Sequence, residues 1–252
     1  MNKTTKDPVA QFFKERESDI SLMAKDEKLK KMSLDWMLHA DKYKYTYNFT
    51  WMGRPIIKFP SDIIVQQEIM WHLKPDLIIE TGIAHGGSII FSASMIEMMG
   101  LDGEVVAVDI DIREHNRKLI ESHPMFKRIT MYEGSSVDPK IIEKVKEHTN
   151  NKKCVMVILD SNHTHEHVLE ELKVYSPFVT VGSYCILPDT FIEFFPPGYS
   201  SSHNKRPWDV GNNPYTAMKS FLSENQNFQI DKDISNKAMI TETIDGYLKK
   251  IS

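Results

Sequence analysis

Residues 77–88 read LIIETGIAHGGS, and this stretch decides the fold. Its first four residues form a short apolar run that ends in an acid, and three glycines follow within the next seven positions. An apolar helical pattern then continues to Met99. This order predicts a buried strand, a tight turn and a helix. Because open α/β sheets bind ligands beyond the carboxyl ends of their strands, the turn is a candidate binding loop.

The same alternation extends outward in both directions. Strands are predicted at 77–80, 105–109, 129–133, 154–159, 179–181 and 184–187, and helices at 61–72, 88–99, 113–122, 139–148, 165–175 and 215–222. The tail, 230–251, reads as two final strands around a turn at Asp245-Gly246. Apolar strands that alternate with helices predict an α/β fold in which a mostly parallel, Rossmann-like, seven-stranded sheet carries helices on both faces.

Length and composition favour one such domain. The chain has 252 residues and 41% hydrophobic content, enough for one sizeable core. We assign residues 61–252 to it, with a Pro-, Gly- and Ser-rich lid loop at 190–214. Residues 1–60 form an N-terminal extension, helical over 8–40 and aromatic and turn-rich over 43–60. For this aromatic arm, packing against the domain is the favoured interpretation, and a wall of the substrate pocket is the alternative.

Charge and composition exclude several classes of protein. The net charge of −4 is spread over interspersed acids and bases, which argues against a nucleic-acid partner. No apolar stretch reaches the ~18 residues that span a membrane, and no secretory signal is recognisable. Cys154 and Cys185 lie in apolar runs and read as reduced core residues. We therefore expect a cytoplasmic protein.

The acid in the candidate loop points to the ligand. The glycine spacing is G-x-x-x-G-G rather than the G-x-G-x-x-G of dinucleotide-binding proteins, and Glu80 would repel a pyrophosphate. Glu80 would instead suit a cationic group such as the amino group of S-adenosylmethionine. The alternative is a tight turn that binds nothing. The residues assigned to this cofactor are Glu80, Thr81, Gly82, Gly86, Gly87, Ser88, Asp109, Ile110, Ser135, Ser136 and Asp160.

Two further strand ends complete the expected cofactor site. Asp109 ends the second strand, 27 residues after Gly82, and can accept hydrogen bonds from ribose hydroxyls. A helix-capping role is the alternative, although Asp111 fits that role better. Ser135 and Ser136 follow the third strand and are candidates for the adenine pocket.

The fourth and fifth strand ends carry groups suited to catalysis. Asp160 follows an unbroken apolar run, where a carboxylate is costly unless it is paired or bound to a metal. His163 could take a proton from a hydroxyl, or it could be a capping or solvent-facing residue. Asp189 should lie beside Asp160 across the sheet, and two carboxylates at one edge favour a divalent cation. A role of Asp189 in capping the next turn is equally open.

Several segments of the chain resemble those of a known family. Residues 78–82 with 86–88, and above all the run LDSNHTHEHV at 159–168, resemble the cephalosporin hydroxylase and rhamnosyl O-methyltransferase family. Residues 60–62 and 214–217 are also similar. The resemblance covers about Trp51 to Leu222 and implies a class I S-adenosylmethionine-dependent O-methyltransferase. The resembled family is also similar to macrolide-sugar O-methyltransferases, which use a divalent metal to hold a sugar diol.

The resemblance implies roles for particular residues. Asp160 and Asp189 match metal ligands, for Mg²⁺ or Mn²⁺, and His163 matches the general base. The chain departs from the family at Pro188, where an acid usually stands. That departure puts the metal in doubt unless Thr190, Glu193 or a water supplies the missing oxygen.

The expected reaction is methyl transfer to a sugar hydroxyl. Lys205 and Arg206 could meet the diphosphate of a nucleotide-activated sugar used for surface polysaccharide, and the equally open alternative is that they are solvated loop residues. Candidate acceptor contacts are His165, Tyr199, Arg206 and Trp208. The N-terminal helices could mediate a homo-oligomer. Two alternatives stay open: an oxidoreductase that uses NAD(P), and a catalytically degenerate methyltransferase fold that acts as a binding protein.

Overall fold

The computed structural model describes residues 7–203 and 205–252. The chain begins with two helices, α1 (Pro8–Met23) and α2 (Glu27–Asp41). Aspartates cap both, since Asp7 accepts from the amide of Val9 and Asp26 from that of Leu29. No residue of α1 is buried, so this helix lies on the surface. Among the described residues, no helix is both long and apolar enough to cross a membrane.

The aromatic arm forms a small hairpin of two antiparallel strands, β1 (Phe49–Trp51) and β2 (Arg54–Ile56). Trp51 attaches it to the domain. Its ring lies edge-on to Phe91, with 4.9 Å between the ring centroids, and its indole N–H donates to the hydroxyl of Ser94 at 2.9 Å. The predicted packing role of the arm is therefore real at this end.

The remainder of the chain alternates helices and strands. In chain order these are α3 (Pro60–Leu73), β3 (Leu77–Thr81), α4 (Gly87–Met98), β4 (Glu104–Asp109), α5 (Glu114–Glu121), β5 (Ile129–Glu133), α6 (Pro139–Thr149), β6 (Val155–Leu159), α7 (His165–Tyr175), β7 (Tyr184–Ile186), α8 (Pro214–Glu224), β8 (Phe228–Ile230), α9 (Lys232–Ala238) and β9 (Tyr247–Lys250). Shorter turns of 3-10 or π type lie at Tyr45–Asn48, Pro124–Arg128, Ser176–Phe178, Thr190–Phe194 and Tyr199–His203.

Seven strands form one sheet in the order β5-β4-β3-β6-β7-β9-β8. The first five of these are parallel, and β9 runs antiparallel to both of its neighbours. The structure therefore confirms the mostly parallel seven-stranded sheet. The carboxyl ends of β3, β4, β6 and β7 consequently meet at one edge, where the candidate site residues follow.

Two apolar cores cover the two faces of the sheet. Alternate residues of β3 point to opposite faces, so Ile78 packs with Ile90 of α4 while Ile79 packs with Leu172 of α7 and Met218 of α8. α4 is buried over most of its length because the arm covers its outer side. The apolar, non-alternating strand sequences are explained by this burial on both faces.

Three local predictions are wrong. Residues 179–181 form no strand, because Val179 follows a 3-10 turn and only Tyr184–Ile186 pairs in the sheet. The tail is not two strands around Asp245-Gly246, since α9 separates β8 from β9. Ser61 and Asp62 do not cap α3, whose N-cap is Phe59.

Candidate active site

The carboxyl edge of the sheet encloses a cavity of about 680 Å³. It brings together the ends of β3, β6 and β7, the aromatic arm, the end of α2 and the lid loop. The sequence-predicted residues that line it are Glu80, Gly82, Gly87, Ser88, Asp160, His163, Asp189, Tyr199, Arg206 and Trp208. The aromatic arm lines this cavity as well, through Tyr45, Thr46, Tyr47 and Pro55, and its role as a wall of a substrate pocket stays a prediction.

The glycine loop is shaped by contacts with the chain itself. Gly82 has a φ of +90°, and a Cβ there would lie 2.0 Å from the carbonyl oxygen of Asp160. A Cβ on Gly87 would lie 2.1 Å from the carbonyl oxygen of Pro55. The glycines therefore allow the loop to pass against β6 and the arm. Asp109 fixes the loop from the other side, since its Oδ2 accepts from the amide of Ile83 at 2.7 Å.

Glu80 is a buried carboxylate without a hydrogen-bond partner. It is fully buried and lines the cavity, and within the described residues no hydrogen bond reaches either of its oxygens. The hydroxyl of Ser88 is likewise buried; it lies near the Glu80 carboxylate but makes no hydrogen bond of normal geometry with the described residues. Burial raises the pKa of Glu80, the nearby ammonium of Lys58 and the hydroxyl of Ser88 oppose this, and the result is about 7. An unpaired carboxylate in a cavity wall has the chemistry to receive a cationic donor.

His163 stands between two carboxylates. Its Nδ1 is 2.7 Å from Oδ2 of Asp189, and its Nε2 is 3.5 Å from Oδ1 of Asp160. Burial lowers the pKa of His163, but Asp189 and Asp160 outweigh it and raise the pKa to about 10. One ligand atom from each of the three residues lies within 4.8 Å of the other two, close enough for one metal ion. The structure thus brings together the three residues predicted for metal binding and proton transfer.

Lys58 is the main residue of this cavity that the sequence reasoning missed. Its Nζ lies 3.2 Å from Oδ2 of Asp160 and 3.0 Å from Oε1 of Glu242. Burial lowers the pKa of Lys58, but Glu242 and Asp160 outweigh it, and the pKa stays well above its usual value. The available signal was a lysine alone in the apolar run of residues 56–59, a position where a charge is seldom left unpaired.

Asp62 supports this buried cluster from behind. Its carboxylate accepts from the hydroxyl of Thr241, from the amide of Glu242 at 3.0 Å and from the hydroxyl of Tyr247 at 3.1 Å. Burial raises the pKa of Asp62 to about 6 although these hydrogen bonds lower it. The residue expected to cap α3 therefore anchors the segment before β9 that carries Glu242.

Three of the four candidate acceptor residues line the cavity, and the fourth, His165, does not. Trp208 and Arg206 lie together at the cavity, with the Trp208 ring centroid 4.6 Å from that of His163 and the Arg206 guanidinium 5.3 Å from the Trp208 centroid. Tyr199 donates to Asp41 of α2 at 2.7 Å and so joins the lid to the extension. His165 does not line the cavity, and its Nδ1 lies 2.9 Å from the hydroxyl of Thr216.

A second cavity of about 320 Å³ adjoins the first. Both are lined by Gly82, Ser161 and Trp208. The predicted cofactor residues that line the second cavity are Gly82, Asp109, Ile110, Ser135 and Ser136. Gly86 and Thr81 line neither cavity, and the side chain of Thr81 is buried in the sheet. The cofactor assignments thus follow a path from the ends of β4 and β5 to Glu80.

Comparison with known proteins shows the family of the chain. A family model described as Rhamnosyl O-methyltransferase/CmcI matches residues 43–251. The chain belongs to this family. A rhamnosyl O-methyltransferase of Mycobacterium tuberculosis (strain ATCC 25618 / H37Rv) is 31% identical over 206 residues, covering 79% of this chain and 77% of the relative. That of Mycobacterium leprae (strain TN) is 31% identical over 176 residues, covering 69% and 71%.

Solved structures agree on the fold. CmcI in an apo form is 20% identical with a TM-score of 0.58, and 82% of this chain and 77% of that chain are covered. CmcI with Mg and SAM is 20% identical with a TM-score of 0.57 and coverage of 82% and 78%. The fold is therefore that of the class I methyltransferases. Because the chain belongs to a family of O-methyltransferases, the alternative of an oxidoreductase that uses NAD(P) is not retained.

Proposed function

We propose that this chain transfers a methyl group from S-adenosylmethionine to a hydroxyl of a sugar, assisted by a divalent ion and by His163 as the base. Family membership makes it an S-adenosylmethionine-dependent O-methyltransferase. The relatives named rhamnosyl O-methyltransferases support a sugar acceptor. The observation that carries the site assignment is the unpaired Glu80 carboxylate in the same cavity as Asp160, His163 and Asp189.

The residues of the loop fit the cofactor. The Glu80 carboxylate and the Ser88 hydroxyl oxygen are buried and make no hydrogen bond of normal geometry in the described part of the chain, and both could accept from an ammonium group. Oδ2 of Asp109 already accepts from the amides of Ile83 and Ala84, whereas Oδ1 accepts only from the amide of Asp111 and retains a lone pair for a ribose hydroxyl. Ser135 and Ser136 stand at the far end, in the second cavity, where the adenine would lie. The cofactor supplies a sulfonium methyl group to the acceptor oxygen.

The residues at the ends of β6 and β7 fit a divalent ion. Asp160 and Asp189 offer hard oxygen ligands, and Mg²⁺ or Mn²⁺ accepts such ligands together with water. The ion would lower the pKa of a hydroxyl bound to it. Two residues named as substitutes for the acid absent at Pro188 are engaged elsewhere. Thr190 donates to the carbonyl of Glu242, and Glu193 accepts from the Gly211 amide at 2.8 Å and from the side chain of Asn213.

His163 is oriented for proton transfer. At 2.7 Å, the Nδ1–H group of the neutral ring would donate a hydrogen bond to Asp189, so Nε2 is the nitrogen that can accept a proton. Because Asp160 and Asp189 stabilise the imidazolium, His163 acts as a base only when positive charge at these carboxylates lowers its pKa. The ring also packs against Trp208, and the side chain of His163 is only 17% exposed.

The mouth of the cavity supports a phosphate-bearing acceptor. Lys42, Lys44 and Arg206 line it, and Lys205 is exposed next to Arg206. These groups would meet the diphosphate of a nucleotide-activated sugar, as in the synthesis of surface polysaccharide. A cytoplasmic location and a homo-oligomeric assembly complete the proposal.

The experiment that tests the proposal pairs two histidine variants. Purified protein is incubated with S-adenosylmethionine, Mn²⁺ and a panel of nucleotide sugars, and methylated products are measured by mass spectrometry. His163→Asn should lower kcat by about 10²- to 10⁴-fold, the usual contribution of a general base. His165→Asn is the matched control, since His165 lies outside the cavity and should retain activity within a few fold. Full turnover by His163→Asn would exclude the base assignment.

A further inference from the structure

The two oxygens of Asp160 face different partners. Oδ1 faces Nε2 of His163 at 3.5 Å, on the side of Asp189. Oδ2 faces the ammonium of Lys58 at 3.2 Å. The side chain of Lys58 is only 4% exposed, so this pair is screened little by water.

Lys58 is held in this place from the other side. Its Nζ is 3.0 Å from Oε1 of Glu242, whose segment is bound to Asp62 through the Glu242 amide. The ammonium therefore has two fixed carboxylate partners on two separate segments. Movement of Lys58 away from Asp160 would leave a buried charge with one partner, which is costly.

We propose that Lys58 is a positioning residue of the reaction centre, which reserves Oδ2 of Asp160 for itself and so sets how tightly the centre binds a divalent ion. The inference rests on the proposed function, because it concerns the ion held by Asp160 and Asp189. With Oδ2 engaged, Asp160 offers the ion a single oxygen. The ammonium, which Asp160 shares with Glu242, also offsets part of the negative charge of Asp160 and Asp189, so the ion meets a weaker field.

The arrangement has a chemical use. An ion held by few ligands keeps open positions for the hydroxyls of an acceptor, whereas a carboxylate binding through both oxygens would occupy one of them. Lys58 would thereby favour the ternary complex over a tightly bound ion alone.

The test measures metal affinity without turnover. Mn²⁺ is titrated into the full-length protein, free of cofactor, and bound ion is counted by electron paramagnetic resonance. Lys58→Met should bind Mn²⁺ about tenfold more tightly or better, because it removes a positive charge beside a dication. The double variant Lys58→Met/Glu242→Gln leaves no unpaired Glu242 and should still bind Mn²⁺ more tightly than wild type, but with a smaller gain, because it also removes a negative charge. Lys250→Met is the control, since Lys250 donates to the Val179 carbonyl at the opposite edge of the sheet, and it should leave Mn²⁺ affinity unchanged.

A second measurement uses the unmodified sequence. In wild-type protein carrying ¹³C at the lysine ε position, Mg²⁺ should shift the Lys58 signal and leave the other lysine signals in place. Equal Mn²⁺ affinity in folded wild type and Lys58 variants, or a Lys58 signal unmoved at saturating Mg²⁺, would overturn the inference. Methyl transfer by the wild type is assayed in parallel. Absence of product from every sugar would count against the proposed function, independently of the metal result.

Discussion

The substitution Glu80→Gln should stabilise the protein alone and weaken its binding of cofactor. Burial raises the pKa of Glu80 from 4.5 to about 7. The folded protein thus holds the Glu80 proton more tightly than the unfolded chain does. The contribution of Glu80 to stability is therefore full below pH 4.5 and is lost as the pH rises to about 7.

The size of the effect follows from the pKa shift. Each pKa unit corresponds to ~1.4 kcal/mol, so ionised Glu80 costs roughly 3 kcal/mol at pH 8. Glutamine removes this cost, but its buried amide lacks a hydrogen-bond partner and destabilises the protein by about 1 kcal/mol. A net gain of about 2 kcal/mol should raise Tm by roughly 4–8 °C at pH 8. At pH 5 the gain should be small, since Glu80 is then protonated in the folded wild type.

Cofactor binding should change in the opposite direction. If Glu80 pairs with the amino group of S-adenosylhomocysteine, Glu80→Gln removes one partner of a buried ion pair, at a cost of about 2–5 kcal/mol. The Kd should rise roughly 30-fold to a few thousand-fold. Wild-type protein should also release a proton when it binds S-adenosylhomocysteine near pH 6, because Glu80 must ionise.

Calorimetry and thermal melts together test the reasoning. S-adenosylhomocysteine is titrated at pH 6 in two buffers of different ionisation enthalpy, and melting curves are recorded at pH 5 and pH 8. Glu97→Gln is the control, because Glu97 pairs with Lys127 and Arg128 away from the cavity. An unchanged Kd in Glu80→Gln, or an equal Tm gain at both pH values, would refute the argument.

Three further predictions concern the frame of the site. Gly82→Ala should prevent folding or lower Tm by more than 10 °C, because its Cβ would meet a carbonyl oxygen at 2.0 Å. The control is Gly100→Ala, which has a similarly positive φ but open space around it. It should lower the free energy of unfolding by only ~1–2 kcal/mol in a denaturant melt. Asp62→Asn should lower the free energy of unfolding by about 2–4 kcal/mol, because three donors converge on the carboxylate; a change under 0.5 kcal/mol by urea denaturation would contradict this. Tyr199→Phe should raise the acceptor KM roughly three- to tenfold through loss of the bond to Asp41, and steady-state kinetics showing an equal effect on the cofactor KM would argue against a role in the lid.

The carboxyl edge of the sheet was predictable from the sequence. A parallel strand that is apolar throughout must be buried, and its carboxyl end must open at a common edge. Glu80, Asp109 and Asp160 could therefore be placed near one another from local patterns alone, without knowledge of tertiary contacts. Asp189 followed by the same argument from the next strand.

The positions of Lys58 and of Asp62, which supports the buried cluster, could not be predicted in this way. Lys58 meets Asp160 across 102 positions and Glu242 across 184, and no periodicity connects such distant segments. Asp62 fitted a helix cap because caps are local, but a tertiary contact with the segment before β9 takes its oxygens instead. The prediction of a hairpin in the tail is wrong for the same reason, because β8 pairs with β9, and the helix α9 lies between these two strands in the chain.

The bond between Tyr199 and Asp41 has a consequence for how much of the chain is needed. The region shared with the family begins at residue 43, two positions after Asp41. A polypeptide cut to that region would keep every strand and the glycine loop, but it would lose Asp41 and also Met37, which packs against Phe59 and Phe195. The helix α2, which precedes the shared region, thus holds the loop that carries Tyr199 and Phe195. Its removal would leave the sheet and the glycine loop intact but would take away these contacts to the loop that covers the cavity.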